Sequence, residues 1–357
     1  MLFYFRYLLK YLIAFILPLL VYLSFQWEEW ASFIPFFYAF GFIPLLELFL
    51  RPDVSNPGLS EEEQLKANRI FDFLLLLAAG CQFGILWLFL KIMAVEMSNL
   101  TFVGHIMSMG LMCGVFGINV AHELGHRKSP FMQWTAKFLL MSSLYMHFFI
   151  EHNRGHHRYV ATPLDPATAR KGENIFFFWG RSMVFSWQSA WKLAAKSVQR
   201  KYGTTWSWHN EMLQFLTMQL VWLSLIFFLT SPKVFLAYLL AALLGCLLLE
   251  SVNYIEHYGL LRKQLEDGSY ERTRACHSWN SNHQWGRATL FELSRHSDHH
   301  YLASRKYQIL RHHEEAPQLP TGYPGMILLA FLPPLWFKVM HSKLDEIRNP
   351  VSISRIG

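Results

Sequence analysis

The sequence predicts an all-helical integral membrane protein in which six transmembrane spans carry a histidine-rich cap on one face. Three observations predict it. The 357 residues are 53 % hydrophobic and 16 % charged, whereas soluble domains run near about 25 % charged. Six apolar runs are each long enough to cross a bilayer, which takes roughly 20 residues of helix. Histidines gather in three clusters beyond those runs: His122-Glu-Leu-Gly-His126, His152-Asn-Arg-Gly-His156-His157 and His296-Ser-Asp-His299-His300.

The first run, Tyr4–Phe25, is continuous and lacks a small-residue cleavage site, so it reads as a retained span and not a removed signal peptide. The second is Ala31–Leu50. A polar linker, Arg51–Arg69, follows; its Ser60-Glu-Glu-Glu predicts a helix N-cap with acids in the first turn. Spans three and four are Ile70–Leu90 and Thr101–Ala121. The segment 122–212 then holds two histidine clusters. Within it Phe138–Ile150 is too short to span upright and is expected to lie in the interface. Thr162-Pro-Leu-Asp-Pro166 is a turn signal. Trp179, Trp187, Trp191, Trp206 and Trp208 suit a surface against lipid headgroups. Spans five and six, Leu213–Leu229 and Val234–Val252, turn at Ser231-Pro232. From His257 the chain stays on the cap side, and Pro324–Met340, interrupted by Pro333-Pro334, is expected to be interfacial. The whole reads as one domain over 1–357, divided at 121, 212 and 256.

Eleven Lys and Arg residues lie from Lys128 to Lys201, within the segment between spans four and five. By the positive-inside rule that segment is cytoplasmic, and an even number of spans puts both termini and every histidine cluster on the same side. The net charge of +7 follows from this rule and from attraction to anionic lipid. No nucleic-acid motif is present. Cys81, Cys113 and Cys246 lie inside spans and Cys276 stands alone, so neither a disulfide framework nor a cysteine–zinc site is expected.

The clusters carry the chemistry. On a helix, residues i and i+4 are about 40° apart, so His122 with His126, His152 with His156, and His296 with His299 and His300 should converge. His157 lies about 100° from His156 and can reach a different ion. Three clusters offer eight imidazoles, and His257 in Asn253-Tyr-Ile-Glu-His257-Tyr-Gly offers a ninth. That exceeds one four-coordinate zinc and suits two ions with room for oxygen. Glu123, Glu151, Glu256 and Asp298 adjoin these histidines and are candidates to orient rings and offset metal charge. His277 and His283 are further supporting candidates. The remaining histidines read as ordinary ones. His122-Glu123-Leu-Gly-His126 also matches the H-E-x-x-H of zinc proteases, but that reading leaves the other two clusters without a role. A metal transporter or sensor would place ionisable residues within the spans; Glu47, His105 and Glu250 are few and near span ends.

These residues resemble the integral-membrane non-haem di-iron family of desaturases and hydroxylases, and most finely the alkane 1-monooxygenases. The resemblance rests on His-Glu-Leu-Gly-His-Arg at 122–127, Glu-His-Asn-Arg-Gly-His-His-Arg at 151–158 and Ala-Thr-Pro-Leu-Asp-Pro-Ala-Thr at 161–168. It continues with Asn-Tyr-Ile-Glu-His-Tyr-Gly at 253–259, His-Ser-Trp-Asn-Ser-Asn-His at 277–283, Arg-His-Ser-Asp-His-His at 295–300 and Leu-Pro-Thr-Gly-Tyr-Pro-Gly at 319–325.

The resemblance implies two irons held by His122, His126, His152, His156, His157, His257, His296, His299 and His300 in a cytoplasmic di-iron cap on a bacterial inner membrane. The implied reaction is O2-dependent hydroxylation of an n-alkane to a 1-alkanol. Electrons would pass from NADH through a reductase to rubredoxin; with no paired Cys-x-x-Cys in the chain, that rubredoxin is expected to be a separate protein. A membrane fatty-acyl desaturase or hydroxylase is the alternative. In the family a residue of the second span shortly before Gly-x-x-Pro helps limit chain length. Here Ala39 and Phe40 precede Gly41-Phe-Ile-Pro44, so a small Ala39 is expected to leave the tunnel deep.

Overall fold

The computed structural model describes residues 2–348, with side chains from Arg6 onward. Six helices are long and apolar enough to cross a membrane: Arg6–Ser24, Glu29–Phe49, Ile70–Ile92, Asn99–Gly125, Glu211–Leu229 and Pro232–His257. Each matches a run expected from sequence. No strand forms among the described residues; only two isolated bridges, Gln264 with Tyr270 and Asn280 with Gln318, occur in the cap.

Spans four and six outrun the expectation, and this places chemistry. They hold 27 and 26 residues, whereas about 20 suffice for a hydrocarbon core of about 30 Å at 1.5 Å per residue. The surplus turns place His122 near the end of span four and Glu256 and His257 at the end of span six, beyond the length a hydrocarbon core requires. The two spans pack closely because small residues meet: a Cβ added to Gly245 would lie 2.5 Å from the Cys113 Cβ. Ser98, Asn174, Asn210 and Ser231 cap their helices through side-chain oxygens that accept backbone N–H groups, each worth about 1 kcal/mol.

Three expectations change. The linker helix starts earlier than Ser60 implied: it runs Leu59–Ala67, and the Glu61 carboxylate accepts the Gly58 N–H at 3.0 Å. Phe138–Ile150 is not one interfacial helix. The helix Pro130–Ser142 ends where Leu144 takes a positive φ of 56°, and a new helical segment starts at Phe148. Pro324–Met340 is two helices, Tyr323–Ala330 and Pro333–Arg348, because proline at position 333 removes an N–H and starts a helix readily.

The tryptophan-rich stretch forms a 28-residue helix, Ile175–Tyr202. Ser182, Ser186, Ala190, Ala194 and Val198 recur every four residues and face the protein, while Phe176, Phe177, Val184, Phe185 and Trp187 are exposed. One small-residue stripe packs inward and one bulky apolar stripe remains outside, the pattern of a helix lying against lipid.

Candidate metal centre

The nine histidines come together in two groups, and in each the ring nitrogens lie within 4.8 Å of one another. One group is His122, His126, His152, His157 and His299; the other is His156, His257, His296 and His300. The contacts run Nε2 to Nε2 throughout. In the first group they are 2.9 Å for His122–His299, 3.1 Å for His126–His152, 3.0 Å for His157–His152 and 3.1 Å for His299–His157. In the second they are 3.1 Å for His156–His300, 3.1 Å for His296–His257 and 2.8 Å for His300–His296.

The pairing within clusters differs from the sequence expectation, for a geometric reason. His152 and His156 do not converge. Residues His152–His156 form a π-helical turn, whose i→i+5 hydrogen bonding widens the turn. His152 is therefore matched with His157, and His156 turns to the other group. In the third cluster His296 pairs with His300 across one α-helical turn, while His299 is directed to the first group. His122 and His126 share a group, as their spacing predicted.

Converging imidazole nitrogens 3 Å apart make little sense as hydrogen bonds alone. A neutral ring has one N–H and its Nε2 either donates or accepts, so a nitrogen with two such contacts cannot satisfy both with one proton. Separations of 2.8–3.1 Å are the edge lengths expected when each nitrogen stands about 2.1 Å from a common cation. The donor set thus fits a divalent ion in each group. Burial, then neighbouring imidazoles, hold His152, His157, His296, His299 and His300 well below the usual histidine range. His126 is lowered to about 4 by burial, then by Arg127 and His156. Neutral imidazole is the form that binds metal.

An apolar cavity of about 80 Å³ lies beside this centre. Tyr38, Ala39, Phe40 and Ile43 of span two form one wall, and Val115, Leu248 and Val252 form the other. It ends at Asn119 and Leu293, which also border a small space against His122 and His299. Two further π-helical stretches, Tyr38–Phe42 and Cys113–Asn119, lie on this path; such turns mark functional positions in many helices.

Comparison with known proteins agrees with the geometry. Residues 97–330 match the family described as fatty acid desaturase. The chain is 40 % identical over 315 residues to an alkane 1-monooxygenase of Pseudomonas putida, covering 87 % of this chain and 77 % of that protein. It is 40 % identical over 327 residues to alkane 1-monooxygenase 1 of Alcanivorax borkumensis, covering 90 % and 79 %. With an alkane 1-monooxygenase of Ectopseudomonas oleovorans it shares 39 % over 308 residues, covering 86 % and 77 %. The chain belongs to the fatty acid desaturase family, among its alkane 1-monooxygenases.

Around the histidines of this alkane 1-monooxygenase family member, the carboxylates divide. Glu256 Oε2 lies 3.2 Å from His296 Nε2. Glu123 instead pairs with Arg127 at 2.8 Å and accepts the Tyr307 N–H at 3.2 Å. Asp298 accepts His313 Nε2 at 2.7 Å and the Arg311 N–H at 2.9 Å. Glu151 is buried beside Gly155, and burial, then Asp165 and Glu250, pushes its carboxyl up. His277 is joined to the Arg274 N–H at 3.0 Å and His283 to the Ser281 hydroxyl at 3.1 Å, both in the cap loops and in neither histidine group. Three carboxylates adjacent to histidines in sequence are therefore turned to arginines, backbone or the protein interior, because a neighbour on a helix points about 100° away.

Sequence reasoning missed Asp165. Its Oδ2 is 3.0 Å from His156 Nδ1 and accepts the Thr168 hydroxyl at 2.6 Å. Burial alone would raise this carboxyl, but His156 outweighs it and holds the group below its usual range. It fixes the tautomer that leaves His156 Nε2 free for metal. The signal was the Asp within Thr162-Pro-Leu-Asp-Pro166, which read as a turn and as one block of the family resemblance, with no role for the Asp itself.

Proposed function

We propose that this chain hydroxylates the terminal carbon of n-alkanes with O2, using two iron ions held by the two histidine groups. The observation that carries the reading is an apolar cavity walled by span two that shares Asn119 and Leu293 with the small space bordered by His122 and His299. The names of the relatives supply the substrate class. In balance, an alkane, O2, two electrons and two protons give a 1-alkanol and water. The irons, when bound, would activate O2; His122, His126, His152, His157 and His299 would hold one, and His156, His257, His296 and His300 the other.

The protein's own contribution is to bind and orient. An alkane dissolves in the bilayer and enters between helices without crossing water. A terminal C–H bond is stronger than an internal one, so selectivity must come from presenting the chain end first. A narrow apolar cavity does this and lowers the barrier by positioning. Residues 1–357 act as one domain in this reading. In this reading the cap faces the cytoplasm of a bacterial inner membrane; the distribution of Lys and Arg supports the sidedness. A separate, acidic rubredoxin, reduced by an NADH-dependent reductase, docks on exposed cations of the cap such as Arg158, Lys263 and Arg272.

The experiment is gas chromatography of cells expressing the chain with a rubredoxin and its reductase, fed n-alkanes under air, with His299→Ala as control. An O2-dependent 1-alkanol absent from the control supports the proposal. An iron-loaded, reducible protein that leaves alkanes untouched and alters acyl lipids would replace it with acyl-chain chemistry.

A further inference from the structure

A second cavity, of about 640 Å³, lies where the cap-side ends of spans one and two meet the segment leading to His296. Unlike the apolar cavity, it is lined by four cations, Arg6, Lys10, Arg287 and Arg295, and by three carboxylates, Asp53, Glu61 and Glu292. The charges do not balance at depth. Arg287 Nε donates to Glu292 Oε2 at 2.7 Å, Lys10 pairs with the same carboxylate, and Arg295 Nε stands 3.9 Å from it. One buried carboxylate therefore serves three cations. Asp53 is a third exposed and 3.6 Å from Arg287, and Glu61 is committed to the start of the linker helix.

The terminal nitrogens of Arg295 donate to neutral oxygens, the carbonyls of Asp53, Ser55 and Leu310 and the side chain of Asn56, and its buried Nε has no hydrogen-bond partner. Arg6 is exposed, with no ion pair among the described residues. Burying positive charge without a counter-charge is costly. The site is thus short of an anion.

We propose that this cavity binds a phosphate group, with the headgroup of an anionic phospholipid as its source. Its lining includes Leu9 of span one and Leu50 just past span two, 48 % and 39 % exposed, along which an acyl chain would run. A phosphate there completes the charge balance and ties span one to Arg295, one residue before His296. A free phosphate ester has the same headgroup chemistry, so the test separates the two sources.

The full-length protein is placed in nanodiscs of phosphatidylcholine with or without phosphatidylglycerol, and retained lipid is counted by native mass spectrometry alongside the thermal midpoint. A parallel arm adds glycerol 3-phosphate to phosphatidylcholine discs. The expected result is retained phosphatidylglycerol and a raised midpoint in the wild type. Retention should weaken about fivefold in Arg6→Gln and in Lys10→Gln and stay unchanged in Lys91→Gln at the far end of span three. A midpoint raised by glycerol 3-phosphate alone would keep the site and make its ligand soluble. Equal retention in the wild type and Arg6→Gln, or equal weakening in Lys91→Gln, would overturn the proposal. Arg6 is exposed, so that variant decides the matter even where Lys10→Gln fails to fold.

Discussion

Glu256 Oε2 lies 3.2 Å from His296 Nε2, while the other oxygen of the same carboxylate accepts the Tyr323 hydroxyl at 2.6 Å. The nitrogen concerned is the one that meets His257 and His300. Glu256 therefore meets the four-histidine group at the donor atom of His296 and not behind its ring. Tyr323, from the Leu-Pro-Thr-Gly-Tyr loop, aims it.

Glu256→Gln keeps the shape and removes the charge. Bound metal should fall from about two ions per chain toward about one, with the loss confined to the four-histidine group. Tyr323→Phe should weaken binding less, since the carboxylate remains. Elemental analysis of purified protein checks both. Two full equivalents in Glu256→Gln would show that this carboxylate contributes nothing to holding metal.

Asp165→Asn removes the charge that faces His156 Nδ1 but can still accept its proton. Asp165→Ala removes the acceptor altogether. Metal affinity should drop about 10–100-fold in the alanine variant and less in the asparagine one. Competition with a chelator of known affinity measures it, and the five-histidine group serves as internal reference.

Acid should release metal and stability together. His126 titrates near 4 in the folded chain against about 6.5 when unfolded. Between those values the unfolded chain binds the extra proton, so stability is intact above about 6.5 and falls as pH drops toward 4. His126 alone accounts for about 3 kcal/mol of that slope. Thermal midpoints of metal-free protein across this range test the sign; a midpoint that rises on acidification would contradict it.

Ala39 lines the apolar cavity. Ala39→Trp should fill its distal part and shift turnover toward shorter alkanes, by several carbons, with the terminal position still preferred. Product profiles over a mixed alkane feed report this directly. An unchanged profile would remove Ala39 from the tunnel wall.

Much of this was legible in the residues. The six spans follow from the lengths of apolar runs, and the nine histidines from clustering at their ends. The division of those histidines was legible in part: His122 with His126, and His157 apart from His156, follow from helical phase, whereas His152 and His156 part because the chain inserts a π turn there. Asp165 was hidden for a different reason: Asp beside Pro is explained by turn chemistry alone. Glu123 and Asp298 misled in the opposite direction, since adjacency along a helix separates side chains. Both instead hold arginine-rich cap segments in place.

The histidine groups also impose an order on biogenesis. The five-histidine group needs His299 in addition to residues from 122 to 157, and the four-histidine group joins His156 to residues from 257 to 300. Neither set is complete until all six spans are inserted and the last cap segment has emerged from the ribosome. Metal can be captured fully only after synthesis of that segment is finished. A chain cut between His157 and His257 therefore leaves two fragments, neither of which carries a complete metal site.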